Sequence, residues 1–118
     1  MRIGALARRT GVSERLLRHY EAQGLLRPLR NANDYREYTD QDVVTVAHIR
    51  YLLAAGLSTA VIADLLDCIH DVDDQPVPSG CPELMARLNE QRERLTVSIA
   101  RLRDTERALE SIVADLPR

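Results

Sequence analysis

The chain has 118 residues, a formal net charge of −2 and two cysteines, which fits one small domain with room for a long helix. Hydrophobic residues make up 45% and charged residues 29%, a balance that excludes disordered and fibrous proteins. Because there is no Trp or Phe, the core has to be built from aliphatic side chains, which favours packed helices.

No segment predicts a membrane or secretory destination. The longest run without a charged residue, 51–63, has 13 residues, whereas a membrane-spanning helix needs about 20. The apolar part of residues 1–8 is too short for a signal peptide. Two cysteines do not make a disulfide framework, so a reducing compartment is the default. We therefore expect a cytoplasmic protein with no membrane partner.

Charge is distributed unevenly along the chain. Residues 1–38 hold eight Arg against four acidic residues, a net charge of +4. Residues 57–118 hold seven Arg against twelve acidic residues, a net charge of −5. A basic amino-terminal third is compatible with nucleic-acid binding although the whole chain is close to neutral.

Two short helices joined by a tight turn are predicted at the start of the chain. Apolar residues keep helical spacing over 3–10, and Gly11 suits the end of that helix. Ser13 can cap a second helix, which Gly24 would end. This is the outline of a helix-turn-helix, although many helical hairpins share it.

The next segment predicts a small β wing. Residues 31–34 are turn formers, and residues 35–38 alternate with period two, as a short strand does. The wing would carry the basic residues Arg27, Arg30 and Arg36. We assign residues 1–38 to a winged helix-turn-helix.

Two connector helices are predicted over residues 39–70. Thr39 begins a capping box for a third helix that closes at Gly56. Ser58 caps a fourth helix, whose apolar stripe continues to Ile69. Residues 71–80, acidic first and then rich in Pro, are predicted to be a loop.

A long helix is predicted over residues 81–118, with Pro82 well placed in its first turn. Five leucines recur at a seven-residue interval: Leu88, Leu95, Leu102, Leu109 and Leu116. A stripe of roughly 30 residues on a terminal helix needs a partner, and the small domain can cover only its beginning. We expect a second copy of the chain to bury the rest.

The chain resembles the MerR family of bacterial transcription regulators over nearly its whole length. The matching motifs are Ile3–Ala7, Gly11–Ser13, Leu17–Glu21, Gly24–Leu26, Pro28, Arg30, Tyr35–Tyr38, Asp42–Val43, Ile49 and Gly56–Ser58. The chain departs from the family pattern at Leu16, at His19 and in the wing turn, which concerns sequence preference more than the binding mode.

The resemblance implies a mostly α-helical fold: a winged helix-turn-helix with a small β wing, a two-helix connector and a long helix that forms an antiparallel coiled-coil homodimer. It also implies a palindromic operator in double-stranded promoter DNA. The bound dimer would hold RNA polymerase unproductively until a signal makes it bend and untwist the DNA, a switch that operates through DNA deformation.

One face of the second helix carries three polar residues whose spacing is i, i+3 and i+4, namely Arg15, Arg18 and His19. Ser13 and the free N–H groups beside it suit a phosphate. Arg18 can reach a guanine edge or a phosphate, and the sequence leaves both open. Tyr20 lies on a different side of this helix.

The resemblance adds base-edge contacts by Glu14 and Arg15, and backbone contacts by Arg36 and Tyr38. The predicted DNA-binding set is Ser13, Glu14, Arg15, Arg18, His19, Tyr20, Arg36 and Tyr38. The alternative for each is a solvated arginine or a core tyrosine. For Arg2, Arg8 and Arg9 we expect only a solvated face.

The chain offers few residues for a signal. No Cys or His follows Cys81, so we expect neither the metal and iron–sulfur sites that the resemblance would imply beyond the long helix nor a large effector domain. Cys68, His70 and Cys81 suggest a metal or thiol switch, which two copies could share. The alternatives are a small buried residue for Cys68 and an inert cap for Cys81.

Three classes of function compete. A DNA-binding regulator leads, and a protein-interaction module that recruits a partner through the coiled coil is the alternative. An enzyme is not supported, since the sequence has neither a Gly-rich phosphate loop nor a nucleophile placed beside a His and a carboxylate.

Overall fold

A computed structural model describes all 118 residues as five helices and two small β-hairpins. The elements in chain order are α1 (Ile3–Thr10), α2 (Glu14–Ala22), β1 (Leu29–Arg30), β2 (Arg36–Glu37), α3 (Asp40–Leu53), α4 (Thr59–Leu65), β3 (Ile69–Val72), β4 (Gln75–Pro78) and α5 (Pro82–Ala114). A single 3-10 turn, Leu66–Cys68, separates α4 from β3. The mostly helical winged fold predicted from the sequence is confirmed.

The helix starts are set by the capping residues that the sequence predicts. The Ser13 hydroxyl accepts a hydrogen bond from the Leu16 N–H at 3.2 Å, and the Ser58 hydroxyl caps α4 in the same way. Thr39 and Asp42 form the reciprocal capping box of α3. Each cap satisfies a backbone donor that the helix itself leaves unpaired.

The core lies where α1 to α4 meet, and we call residues 1–80 that surround it the head. Its fully buried members come from all four helices and include Leu6, Leu17, Ile49, Ile62 and Leu65. Each such side chain contributes about 1.5–3 kcal/mol by leaving water. Leu84 is the one fully buried residue of α5.

The wing is a two-stranded antiparallel hairpin in which Arg30 lies opposite Arg36. Asn31 Oδ1 orders its turn by accepting the Asn33 N–H at 2.9 Å and the Tyr35 N–H at 3.1 Å. Asp34 adopts a left-handed backbone with φ of 63°, a conformation that Asp tolerates better than most residues.

Residues 71–80 contain a β-hairpin, so the predicted loop is wrong. β3 and β4 pair antiparallel around a two-residue turn, Asp73–Asp74, with φ values of 51° and 61°. Positive φ at both positions matches the right-handed twist of a tight hairpin. The register places Pro76 and Pro78 where a backbone N–H would point away from β3. The prolines therefore cost no hydrogen bond of the hairpin.

This second hairpin also shortens the predicted fourth helix. Ile69 belongs to β3 and not to a helix. The hairpin is anchored to α3 by the buried His48, whose Nε2 lies 2.7 Å from Asp71 Oδ1. A segment predicted to be a loop is thus a hairpin packed against the head.

α5 leaves the head and continues alone. Leu84 is buried and Leu88 half-buried, but the later leucines of the stripe are exposed, Leu95 by 49% and Leu102 by 69%. The molecule accordingly measures 73 × 37 × 26 Å. Neither α5 nor any shorter helix is apolar enough over a sufficient length to cross a membrane.

Candidate nucleic-acid interface

The outer face of α2 presents the polar residues that the sequence singled out. Glu14, Arg15, Arg18 and His19 are all exposed, while Leu17 faces the core. Ser13 at the start of α2 is exposed as well. The structure therefore places these residues together on one accessible surface beside the first N–H groups of the helix.

Tyr20 and Tyr38 lie away from this surface, unlike the other residues of the predicted DNA-binding set on α2. Their exposed fractions are only 1% and 2%. Tyr20 follows Leu17 by three positions, which puts both on the core side of α2. Tyr38 lies just beyond β2, where the chain turns inward to start α3. Burial raises the pKa of both phenols above the ordinary value.

Glu21 of α2 holds the wing in place. Its Oε1 accepts a hydrogen bond from Arg36 Nε at 2.8 Å, and its Oε2 accepts one from the Tyr38 hydroxyl at 3.2 Å. The bond and the negative charge of Glu21 raise the pKa of Arg36. Arg36, predicted to grip DNA, thus also positions the wing on α2, and its side chain remains 46% exposed.

A groove of about 380 Å³ opens between α1, α2 and the wing. Four arginines and two acidic residues line it: Arg2, Arg18, Arg30, Arg36, Glu14 and Asp34. The Arg2 guanidinium lies 4.2 Å from the centre of the Tyr35 ring, a cation–π contact. The excess of positive charge suits an anionic ligand such as a DNA phosphate.

Sequence reasoning missed part of this groove. The sequence predicts only a solvated face for Arg2 and places Tyr35 only in the strand of the wing. Their proximity depends on how the wing packs beside α1, which no local spacing reveals. Of the other arginines expected to be solvated, Arg9 forms an ion pair with Asp40 that joins α1 to α3 and lowers the pKa of Asp40.

The residues proposed for a metal or thiol switch are only partly brought together. Cys68 and Cys81 are joined as a disulfide, with their Cα atoms 6.0 Å apart. His70 Nδ1 instead lies 2.8 Å from Ser79 Oγ. No group of three His, Cys, Asp or Glu side chains is arranged to hold a metal ion anywhere in the chain. In this disulfide-bonded state neither sulfur is a free thiolate ligand, so the donor set does not fit a metal site.

Comparison with known proteins identifies relatives that match most of the chain. Residues 1–68 match the family model described as MerR HTH family regulatory protein. The chain is 33% identical over 106 residues to PA4778 of Pseudomonas aeruginosa, an uncharacterised HTH-type transcriptional regulator. The match covers 89% of this chain and 79% of that protein. The chain spans only about half the length of heavy metal-dependent transcription regulators 1 and 2 of Rhizobium meliloti, which it also matches.

Solved structures share the fold. The lead(II) complex of PbrR691 from Ralstonia metallidurans superposes with a TM-score of 0.83 at 26% identity, covering 99% of this chain and 88% of that one. HiNmlR, a regulator that lacks a sensor domain and was solved bound to promoter DNA, superposes with a TM-score of 0.56 at 25% identity. That match covers 96% of this chain and 86% of the other.

Proposed function

Because the chain belongs to the MerR family of transcription regulators, we propose that it binds a palindromic promoter operator as a homodimer and controls transcription by distorting the DNA. It is a DNA-binding regulator and not an enzyme, as the family implies. The alternative of a protein-interaction module is not favoured. The observation that carries the proposal is the arginine-lined groove beside the exposed face of α2.

The position of each residue in this interface determines which part of the DNA it contacts. The start of α2, with Ser13, Glu14 and Arg15, enters the major groove, where its N–H groups meet a phosphate and its side chains meet base edges. Arg18 and His19 extend this face by one helical turn. The groove between α2 and the wing holds a neighbouring backbone phosphate, with guanidinium donors from both sides.

The leucine stripe supplies the dimer contact. Its five leucines are symmetric about Leu102, so an antiparallel second copy pairs Leu95 with Leu109 and Leu88 with Leu116. The four leucines beyond Leu88 in the stripe are 49–69% exposed in the single chain. An antiparallel pairing buries them and places the two heads at opposite ends of one coiled coil.

Two heads joined by a stiff coiled coil can hold the two half-sites of an operator at a fixed distance and orientation. If that distance and orientation differ from those in straight B-DNA, binding bends or untwists the duplex, and the signal selects between two such arrangements. RNA polymerase at the same promoter is then the partner that reads the change. We place this activity in the cytoplasm, where promoter DNA is accessible.

Footprinting on the DNA upstream of the chain's own gene, at two salt concentrations, tests the proposal. We expect one discrete palindromic footprint that weakens as salt rises. Arg18→Ala should lower the affinity: loss of a base contact costs about 1–3 kcal/mol, whereas loss of a phosphate contact lowers the salt slope by about one. The matched control is Arg101→Ala on α5, which should leave the affinity unchanged. No binding at either salt would contradict the proposal and move the interaction module to first place.

The dimer is tested separately by sedimentation at micromolar concentration. Leu102→Glu should give a monomer, because it places two like charges at the symmetry axis of the stripe. Val97→Glu is the matched control, since Val97 is equally a surface residue of α5, 58% exposed, but lies off the stripe. A dimer that survives Leu102→Glu would refute the leucine-stripe interface.

A further inference from the structure

The Cys68–Cys81 disulfide lies at the junction between the head and α5. Cys68 ends the 3-10 turn that follows α4, and Cys81 immediately precedes the first residue of α5. The bond closes a segment with a sequence separation of 13 that contains the whole second hairpin. It is therefore a covalent clamp between the head and the root of α5, a name we use for residues 81–91.

Few other interactions hold this root. No salt bridge joins α5 to the head, and one side-chain hydrogen bond does so, from Gln91 Nε2 to the Gly56 carbonyl at 3.3 Å. The apolar contact consists of Leu84 and, less deeply, Leu88. Opening the disulfide thus removes a large share of what fixes the direction of α5.

The hairpin itself does not depend on the disulfide. Its strands pair over four residues each, His48 holds Asp71, and the Ser79 N–H donates to the Cys68 carbonyl at 2.7 Å. The head therefore stays folded when the bond opens, and the change is confined to the root of α5.

Both cysteines are positioned to undergo thiol–disulfide exchange. Cys68 and Cys81 are half-buried and not sealed in the core. Cys81 is the N-cap residue of α5, a helix of 33 residues, so unpaired N–H groups stabilise its thiolate after reduction. A stabilised thiolate next to a second cysteine can be oxidised and resolved without a large movement of the chain.

We propose that Cys68 and Cys81 form a reversible thiol–disulfide site that takes low-molecular-weight disulfides and thiols as reactants and sets the operator affinity through the direction of α5. This inference rests on the proposed DNA-binding function. The closed clamp holds α5 in one direction, so the oxidised dimer binds two half-sites without first ordering its heads. The reduced dimer binds more weakly.

The exchange proceeds in two balanced steps. The Cys81 thiolate attacks a small-molecule disulfide, which forms a mixed disulfide and releases one thiol as its thiolate. The Cys68 thiolate then attacks the Cys81 sulfur and releases the second small thiol. Two cysteine thiols are oxidised to one disulfide while one external disulfide is reduced to two thiols, and the reverse sequence opens the clamp.

The test uses the full chain equilibrated with oxidised or reduced glutathione. Intact mass should report a loss of two hydrogens in the oxidised form. We expect the operator affinity to be about tenfold higher in that form, within the range typical of coupling between two sites. The Cys68→Ser/Cys81→Ser variant should bind like the reduced form in both buffers. Equal affinity of the two mass-verified forms, or no disulfide in the oxidising buffer, would overturn the inference.

A second readout does not depend on DNA. Amide hydrogen exchange over residues 82–91 should be faster in the reduced form, while exchange in α1 to α3 stays unchanged. Unchanged exchange at the root would overturn the clamp even if DNA binds. Binding by neither redox form, with exchange at the root still responding, would instead overturn the proposed function.

Discussion

Replacing Glu21 by Leu should separate the wing from α2 at a predictable energetic cost. The substitution removes the acceptor of the Tyr38 hydroxyl, and Tyr38 as a whole residue is only 2% exposed. A buried hydroxyl without a partner costs about 1–3 kcal/mol. Glu21 lies in the last turn of α2, where a negative charge is unfavourable, so its removal returns about 0.5 kcal/mol. The exposed Arg36 adds little because water screens its ion pair.

The expected net loss is about 1.5 kcal/mol in the free energy of unfolding, or roughly tenfold in the equilibrium constant. Urea denaturation of the purified chain measures it directly. Glu21→Gln is the matched control, since it also removes the charge but keeps an oxygen that accepts from Tyr38, and it should be close to wild type.

A double-mutant cycle with Tyr38→Phe isolates the contact. Without the hydroxyl, Glu21→Leu should cost almost nothing, giving a coupling of about 1–2 kcal/mol between the two positions. If Glu21→Leu and Glu21→Gln unfold at the same urea concentration, or the cycle shows no coupling, the argument that Glu21 anchors the wing is incorrect.

Three further outcomes are expected. Leu65→Ala should destabilise the head by about 2–5 kcal/mol in urea denaturation because Leu65 is fully buried, whereas Leu29→Ala on the exposed wing should change it by less than about 0.5 kcal/mol. Asp74→Gly should raise the free energy of unfolding slightly, by about 0.5 kcal/mol in urea denaturation, since Gly adopts the left-handed turn conformation without strain. The raised pKa values of Tyr20 and Tyr38 mean that the stability which these two neutral phenols contribute is present below pH 10.0, the ordinary phenol value, and is lost as the pH rises through the higher folded-state values. Circular dichroism against pH should therefore show alkaline unfolding at a higher pH in Tyr38→Phe; an unchanged midpoint would contradict that cause.

Much of the head could be predicted because its signals are local. Ser13, Thr39 and Ser58 are side chains that satisfy backbone groups within three residues of themselves. The apolar spacing around Leu17 identifies the buried side of α2 for the same reason. Such features depend on neighbouring residues in the chain and not on how distant elements meet.

The second hairpin escaped prediction because its evidence is spread over a short segment. Four-residue strands give too few positions to establish a period, and Pro76 and Pro78 argue against a strand unless the register is known. The adjacent Asp73 and Asp74 were the one usable turn signal.

The interface was harder to predict for a related reason. Which arginines line the groove depends on the angle between the wing and α2, and that angle is set by Glu21, Arg36 and Tyr38 over a separation of 15 to 17 residues. The alternation of residues 35–38 identified a strand but not which side chain turns inward. The resemblance, and not this alternation, assigns Tyr38 a contact with the DNA backbone, whereas its side chain packs in the core.

The narrow attachment of α5 also has a mechanical consequence. A helix of 33 residues is about 50 Å long, so a tilt of about 10° at its root displaces its tip by about 9 Å. That displacement equals between two and three base-pair steps of about 3.4 Å each. In an antiparallel pair the tip of one helix lies beside the other head. A rearrangement the size of one side chain at the root therefore displaces the tip of α5 by a distance comparable to that over which a duplex is overwound or underwound.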